Sequence, residues 1–202
     1  MELKRIIFMG TPEIASVYLK SLIDTNHNIV AVYSQPARKK GRGMHMQESP
    51  VQMIAEKNSI KTFTPIEFIS KINKKEIEEL LPDLIIVMGY GLKLPQHILQ
   101  LPTLGCINIH VSLLPRWRGA APIEHALLNG DKETGVTIFK LVEEMDAGPI
   151  LTKDVISVDQ HTNKKELTEK LNKLGTKLLI SILPKIFNED VFLTQQDDSK
   201  VT

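Results

Sequence analysis

A single cysteine, Cys106, stands in 202 residues, so no internal disulfide staples this chain and its fold must rest on an apolar core. That thiol sits inside an apolar run, where a lone cysteine reads as packing and not as a nucleophile. No apolar stretch approaches the roughly 20 residues needed to span a bilayer. The start, Met1-Glu2-Leu3-Lys4-Arg5, runs straight into a short strand and lacks the apolar segment of a signal peptide, so a cytoplasmic location is the expectation. Charge of one sign is lacking too: 25 Lys and Arg face 24 Asp and Glu, for a net charge of +1. A global pull toward nucleic acid is thereby excluded, and any polyanion contact falls to a local patch. The dinucleotide-binding glycine pattern is missing, because Gly41-Arg42-Gly43 and Gly89-Tyr90-Gly91 each lack the third glycine, and there is no phosphate-binding P-loop. The six histidines show no H-E-x-x-H or Cys/His spacing, so no metal site is expected.

What the chain does have is alternation. Leu3 to Met9, Asn28 to Ser34, Lys61 to Thr64, Asp83 to Met88 and Gly105 to Val111 read as strands, the later ones apolar enough to be buried on both faces. Between them Glu13 to Ile23, Pro50 to Lys57, Glu67 to Leu81 and Ala120 to Leu128 read as helices, the first with Thr11 as N-cap and Pro12 at its first position. Gly135 to Val142 and Ile150 to Val158 follow each other with no helix between them, which predicts an antiparallel element. Asn163 to Ile186 repeats Leu167, Leu171, Leu174, Leu178 and Ile182 at helical spacing. The expected fold is α/β: an open, mostly parallel Rossmann-like sheet with helices on both faces. Gln35 to Ser49 breaks every period and reads as an irregular loop. The tail from Thr194 is polar and reads as a linker or a frayed end.

Chemistry concentrates near Asn108-Ile109-His110. Residues two apart on a strand share a face, so Asn108 and His110 point the same way, at the carboxyl end of a strand where open sheets bind ligands. Taken alone, the pair fits equally well a buried Asn and His satisfied by backbone. The proline- and glycine-punctuated run Ser112 to Ile123 holds the only Trp between two arginines, and Asp146 lies on a glycine-containing loop after the next strand. Asn, His and Asp suit acyl transfer to an amine. An Asn amide and an imidazolium would donate to the tetrahedral oxyanion, a carboxylate would orient the imidazole, and His110 or a water held by Asp146 would relay the proton. No covalent intermediate is needed. Arg38, Lys39, Lys40 and Arg42 cluster in the loop, where they would contact phosphates.

These motifs resemble the folate-dependent formyltransferase family, and within it the branch that acts on methionyl-tRNA. The resemblance rests on Asn108, His110, Ser112-Leu113-Leu114-Pro115 and Asp146, and spans the whole chain. More particular to the tRNA branch are Arg116-Trp117-Arg118-Gly119-Ala120-Ala121-Pro122-Ile123, Phe8 to Glu13, Gln35-Pro36 and Gly41-Arg42-Gly43. It implies that Asn108, His110 and Asp146 are catalytic. It implies that Ser112, Leu113, Leu114 and Pro115 contact 10-formyltetrahydrofolate, the formyl donor. Met88, Tyr90, Gly91 and Leu92, in a run similar to the family's pterin strand and loop, would complete the folate site. Arg38, Lys39, Lys40 and above all Arg42 would enter the acceptor stem of methionyl initiator tRNA.

The resemblance further implies a monomeric enzyme of a bacterial cytoplasm. Residues 1–190 would be the catalytic domain, and residues 191–202 would begin a linker to a C-terminal β-barrel domain absent from this chain. Departures are Val111, where the family carries Gly, Ala or Pro, and Met44 to Glu48, which replaces a lysine-rich stretch. Two alternatives stay open: an amino-sugar nucleotide or glycinamide ribonucleotide as the amine, or a folate- or tRNA-binding domain with little activity.

Overall fold

Apolar runs without polar alternation need cover on both faces, and two of them pair at the heart of the amino-terminal half. A computed structural model describes residues 3–41, 43–67 and 71–202 and divides into two compact units, Met1–Cys106 and Ile107–Thr202. In the first unit, β1 (Arg5–Gly10), α1 (Glu13–Asp24), β2 (Asn28–Tyr33), β3 (Arg38–Lys40), β4 (His45–Gln47), α2 (Pro50–Lys57), β5 (Thr62–Phe63), α3 (Lys71–Glu79), β6 (Leu84–Met88) and α4 (Gln96–Leu99) follow in chain order. The main sheet has seven strands, and those of this unit run β5-β2-β1-β6, all parallel. Ile6, Ile7, Phe8, Leu84, Ile85 and Ile86 are wholly buried, each contributing about 1.5–3 kcal/mol by its removal from water. Asp83 fixes the register at the strand roots: its carboxylate accepts the Arg5 N–H at 2.7 Å, and its own N–H donates to the Arg5 carbonyl.

The second unit takes up β7 (Cys106–His110) from Ile107 onward and adds α5 (Pro122–Leu128), β8 (Glu133–Lys140), β9 (Ile150–Ser157), α6 (Lys164–Phe187) and a 3-10 turn at Asp198–Lys200. Its strands run β7-β8-β9, antiparallel throughout; the helix-free spacing predicts the β8–β9 pair, whereas β7 and β8 pair antiparallel with α5 between them. Asn163 caps α6 in a reciprocal box with Glu166. The buried stripe of α6 holds Leu167, Leu171, Leu179, Ile182, Leu183 and Ile186. Leu174 and Leu178, expected on that stripe, are half-buried flanks, because the buried face runs from Leu171 through Gly175 and Leu179, one position beyond each of them.

The structure corrects four local expectations. Pro12, not Thr11, is the N-cap of α1, since the Thr11 hydroxyl is committed elsewhere: it donates to the Tyr90 carbonyl at 2.9 Å and accepts from the Gln35 N–H. The segment read as irregular over 35–49 carries an antiparallel hairpin, β3 with β4, with Gly41 at φ +78° in its turn. α5 starts at Pro122 and not at Ala120, because Ala121 sits in the left-handed region at φ +56°. The polar tail is pinned: Thr194 bridges Ile150 on β9, and residues beyond it bond to the loops of the candidate site. Of the helix expected over Glu67 to Leu81, residues 68–70 lie outside the described residues.

Candidate active site

β7 delivers Asn108 and His110 to one face, two residues apart, where they are 9% and 7% exposed. Opposite them on β8 stand Phe139 and Thr137. The Asn108 amide makes no hydrogen bond among the described residues. His110 is held from both sides. Its Nε2 lies 2.7 Å from the Trp117 carbonyl, and a carbonyl only accepts, so Nε2 carries the hydrogen. Its Nδ1 lies 3.6 Å from Asp146 Oδ2, too far for a direct hydrogen bond and close enough for an ion pair once the imidazole is protonated. Nδ1 is therefore the nitrogen left for chemistry. Asp146 is itself positioned, with Oδ2 accepting the Gly119 N–H at 2.8 Å and its backbone in the left-handed region at φ +50°. Non-glycine residues held there cost on the order of 1 kcal/mol or more, and persist where the surroundings insist on them.

The loop after β7 is built on two polar centres that the sequence reading passed over. Thr137 is wholly buried. Its hydroxyl donates to the Ser112 carbonyl at 2.7 Å and accepts the Leu114 N–H at 3.1 Å. Leu114 packs with Phe139 and Ile150 in one core cluster. The second centre is Asp131, whose side chain is 9% exposed. It accepts a two-pronged pair of bonds from Arg116, at 2.9 and 2.7 Å, the indole N–H of Trp117 at 2.8 Å, and the Asn129 amide. Those donors, Arg116 foremost, hold the Asp131 carboxyl well below the usual carboxylate range. The Arg116 guanidinium also covers the Trp117 ring at 4.4 Å, and His125 stacks on that ring.

The Asp146 loop is tied down by a residue of the tail. Gln196 donates from Nε2 to the carbonyls of Asp146 and Gly148, at 2.7 and 2.8 Å. Its Oε1 accepts two bonds from Arg118. Gly148 is needed for space, because a Cβ there would run into the Lys140 carbonyl. Val111 is buried at 9% exposure.

Of the remaining expected residues, Met88 ends β6, and Tyr90 and Gly91 form the turn beyond it. Gly89 and Gly91 have φ of +55° and +85°, which explains a glycine on either side of Tyr90. Tyr90 is buried, and burial pushes its hydroxyl upward. Gln35 lies against Gly91, with Oε1 accepting from Arg38 at 2.8 Å and Nε2 unpaired among the described residues. Arg38, Lys39 and Lys40 form β3, whereas Arg42 lies outside the described residues. A cavity of about 500 Å³ lined by Lys4, Arg5, Asp83, Leu101 and Thr103 sits at the strand roots, the end where parallel sheets do not bind ligands. It contains none of the expected site residues.

By fold, the chain falls among the α/β formyltransferases. It matches glycinamide ribonucleotide transformylase 1 of Symbiobacterium toebii with a TM-score of 0.79 at 16% identity, over 96% of this chain and 95% of that one. It also matches WlaRD, a sugar 3N-formyl transferase solved with dTDP and 5-N-formyl-THF, with a TM-score of 0.73 at 18% identity, over 100% of this chain and 69% of that one. The family described as formyl transferase matches residues 4–183, and the chain belongs to that family. Among curated relatives, the methionyl-tRNA formyltransferase of Kosmotoga olearia is 46% identical over 98% of this chain, and that of Bartonella henselae is 45% identical over 98%. The chain spans 64% of the length of each.

Proposed function

We propose that this chain carries the catalytic machinery that moves a formyl group from 10-formyltetrahydrofolate to the amino group of methionyl initiator tRNA. The observation that carries this reading is the unengaged Asn108 amide beside an imidazole whose Nε2 is occupied and whose Nδ1 faces Asp146. The names of the 41–46% identical relatives supply the acceptor. In this scheme the amine attacks the formyl carbon and the carbonyl oxygen becomes an oxyanion. Asn108 Nδ2 and the Nδ1–H of a protonated His110 donate to that oxyanion. The carbon–nitrogen bond to the folate then breaks. The proton lost by the amine reaches the departing folate nitrogen, directly through His110 or through a water on Asp146. No bond to the protein forms.

In the folate-contacting loop, Thr137 already engages the Ser112 carbonyl and the Leu114 N–H, and the Leu113 carbonyl accepts from Arg116. Among the described residues, the backbone groups of that loop left to a folate are the Ser112 and Leu113 N–H and the Leu114 and Pro115 carbonyls. The backbone of Met88, Tyr90, Gly91 and Leu92 would serve the pterin, with the unpaired Gln35 Nε2 as a further donor. Arg38, Lys39, Lys40 and Arg42 would meet phosphates of the acceptor stem, which makes use of tRNA salt-dependent.

The test is a formyl-transfer assay with 10-formyltetrahydrofolate at low salt, offering methionyl initiator tRNA, free methionine, an amino-sugar nucleotide or glycinamide ribonucleotide. Transfer to the charged tRNA alone is expected. Preference for a sugar amine would move the chain to the branch of its structural neighbours, and folate binding with no transfer to any acceptor would sink the catalytic reading.

A further inference from the structure

We infer that Asp131 is a positioning residue for His110, acting through the carbonyl of Trp117; the catalytic importance of this rests on the function proposed above. Trp117 is left-handed at φ +59°, a conformation that a bulky residue rarely holds unaided. Yet its carbonyl oxygen must stay 2.7 Å from His110 Nε2 if the imidazole is to present Nδ1, and not Nε2, toward Asp146. What holds Trp117 is legible bond by bond. Its indole N–H donates to Asp131 Oδ2 at 2.8 Å. The preceding residue, Arg116, grips the same carboxylate with two bonds and lies over the indole face at 4.4 Å. His125 stacks on that ring at 5.1 Å. The backbone N–H of Trp117 donates to Thr202 Oγ1. Among the described residues, only Asp131 joins the side chains of Arg116 and Trp117, the two residues that lead into the peptide whose carbonyl meets His110.

The route from Asp131 to the reacting nitrogen is short: carboxylate, indole and guanidinium, Trp117 carbonyl, imidazole. Each link has one geometry. An asparagine at 131 retains one acceptor oxygen and sets an NH₂ against the donors of Arg116 or Trp117, so the clamp opens on one side. Phenylalanine at 117 keeps the ring that Arg116 and His125 cover and deletes only the indole donor, which makes it the milder variant.

The decisive measurement is the imidazole N–H signal of His110 in ¹⁵N-labelled protein, assigned by its loss in His110→Gln. An imidazole proton fixed on a carbonyl is protected from water and observable, whereas a released one exchanges away. In the wild-type protein the Nε2-bound proton is expected to be visible. It should vanish in Asp131→Asn and broaden in Trp117→Phe, while kcat for formyl transfer falls at least tenfold in the former and the folate KM changes less than twofold. An unchanged signal in both variants overturns the inference, whatever the activity does. If Asp131→Asn does not fold, Trp117→Phe decides alone. If the wild-type protein transfers no formyl group, the proposed function fails, and the imidazole signal still judges the clamp.

Discussion

Replacing Gln196 by alanine severs four hydrogen bonds at once: two donated to the carbonyls of Asp146 and Gly148, and two accepted from Arg118. An intramolecular hydrogen bond contributes about 0.5–1.5 kcal/mol net. Gln196 is only half-buried, so water can replace part of what is removed, and the lower end of that range applies. The expected destabilisation is then about 2 kcal/mol, which lowers Tm by about 4–8 °C in a domain of this size. The larger effect falls on catalysis. Asp146 must keep its left-handed backbone and its 3.6 Å approach to His110 on a loop no longer anchored to the tail by Gln196. A misplacement of about 1 Å can cost on the order of 100-fold in rate, so kcat for formyl transfer should fall between tenfold and 100-fold with the folate KM unchanged. Gln196→Glu separates the two halves of the bridge, because it strengthens the bond to Arg118 and removes both donors to the carbonyls. It should lose activity like the alanine variant while melting closer to wild type. A folded Gln196→Ala protein with kcat within twofold of wild type would refute the reasoning.

Four further outcomes are expected. Asp146→Asn should fold normally and lose at least roughly 100-fold in kcat, as when the carboxylate that orients a catalytic histidine is lost; a near-normal rate removes Asp146 from the mechanism. Asn108→Ala and His110→Ala should each be severely impaired in the same assay, and near-full activity in both would dismiss the oxyanion site. The double change Arg38→Ala with Lys39→Ala should raise KM for charged tRNA and flatten the slope of log(kcat/KM) against log salt by roughly 0.7–0.9 for each phosphate left without its cation, with folate affinity as the control. Asp131, lowered in the folded protein chiefly by Arg116, contributes stability above the ordinary Asp range near about 3.9. That contribution is lost as pH falls toward the folded value, so Tm measured from pH 6 downward should drop more steeply for wild type than for Asp131→Asn.

The strands and long helices were legible because period and burial dominate them: an apolar run such as Leu84–Met88 has few other places to go. Asn108 and His110 were legible because strand alternation alone puts them on one face, and Asp146 because a carboxylate on a glycine loop is conspicuous. What escaped depends on partners far off in sequence. The hairpin of 38–47 has strands of three residues each with Met46 as their one apolar side chain, so no alternation marks it. Thr137 is one threonine on an ordinary strand until the loop bonds to it 23 and 25 residues away. Gln196 stands in a tail with no periodicity, and nothing local announces that its amide reaches residues 48 and 50 positions earlier. Asp131 carried a faint signal, following Asn129-Gly130 at the end of a helix, yet its role comes from Arg116 and Trp117, which the sequence sets 15 and 14 residues before it.

The basic hairpin leaves and rejoins the first unit at Ser34 and Ser49, whose buried hydroxyls bond to each other. An arm sewn at its root is insulated from what happens at its tip. Doubling the length of such a loop costs only about 0.6 kcal/mol in closure entropy, and the stitch keeps that change from reaching β2 or α2. Insertions, deletions and reversals of charge between residues 39 and 47, beyond the buried Gln35, can therefore accumulate by drift without unfolding anything. Under the proposed function, adaptation to a different polyanion would need no new chemistry, only a new arm.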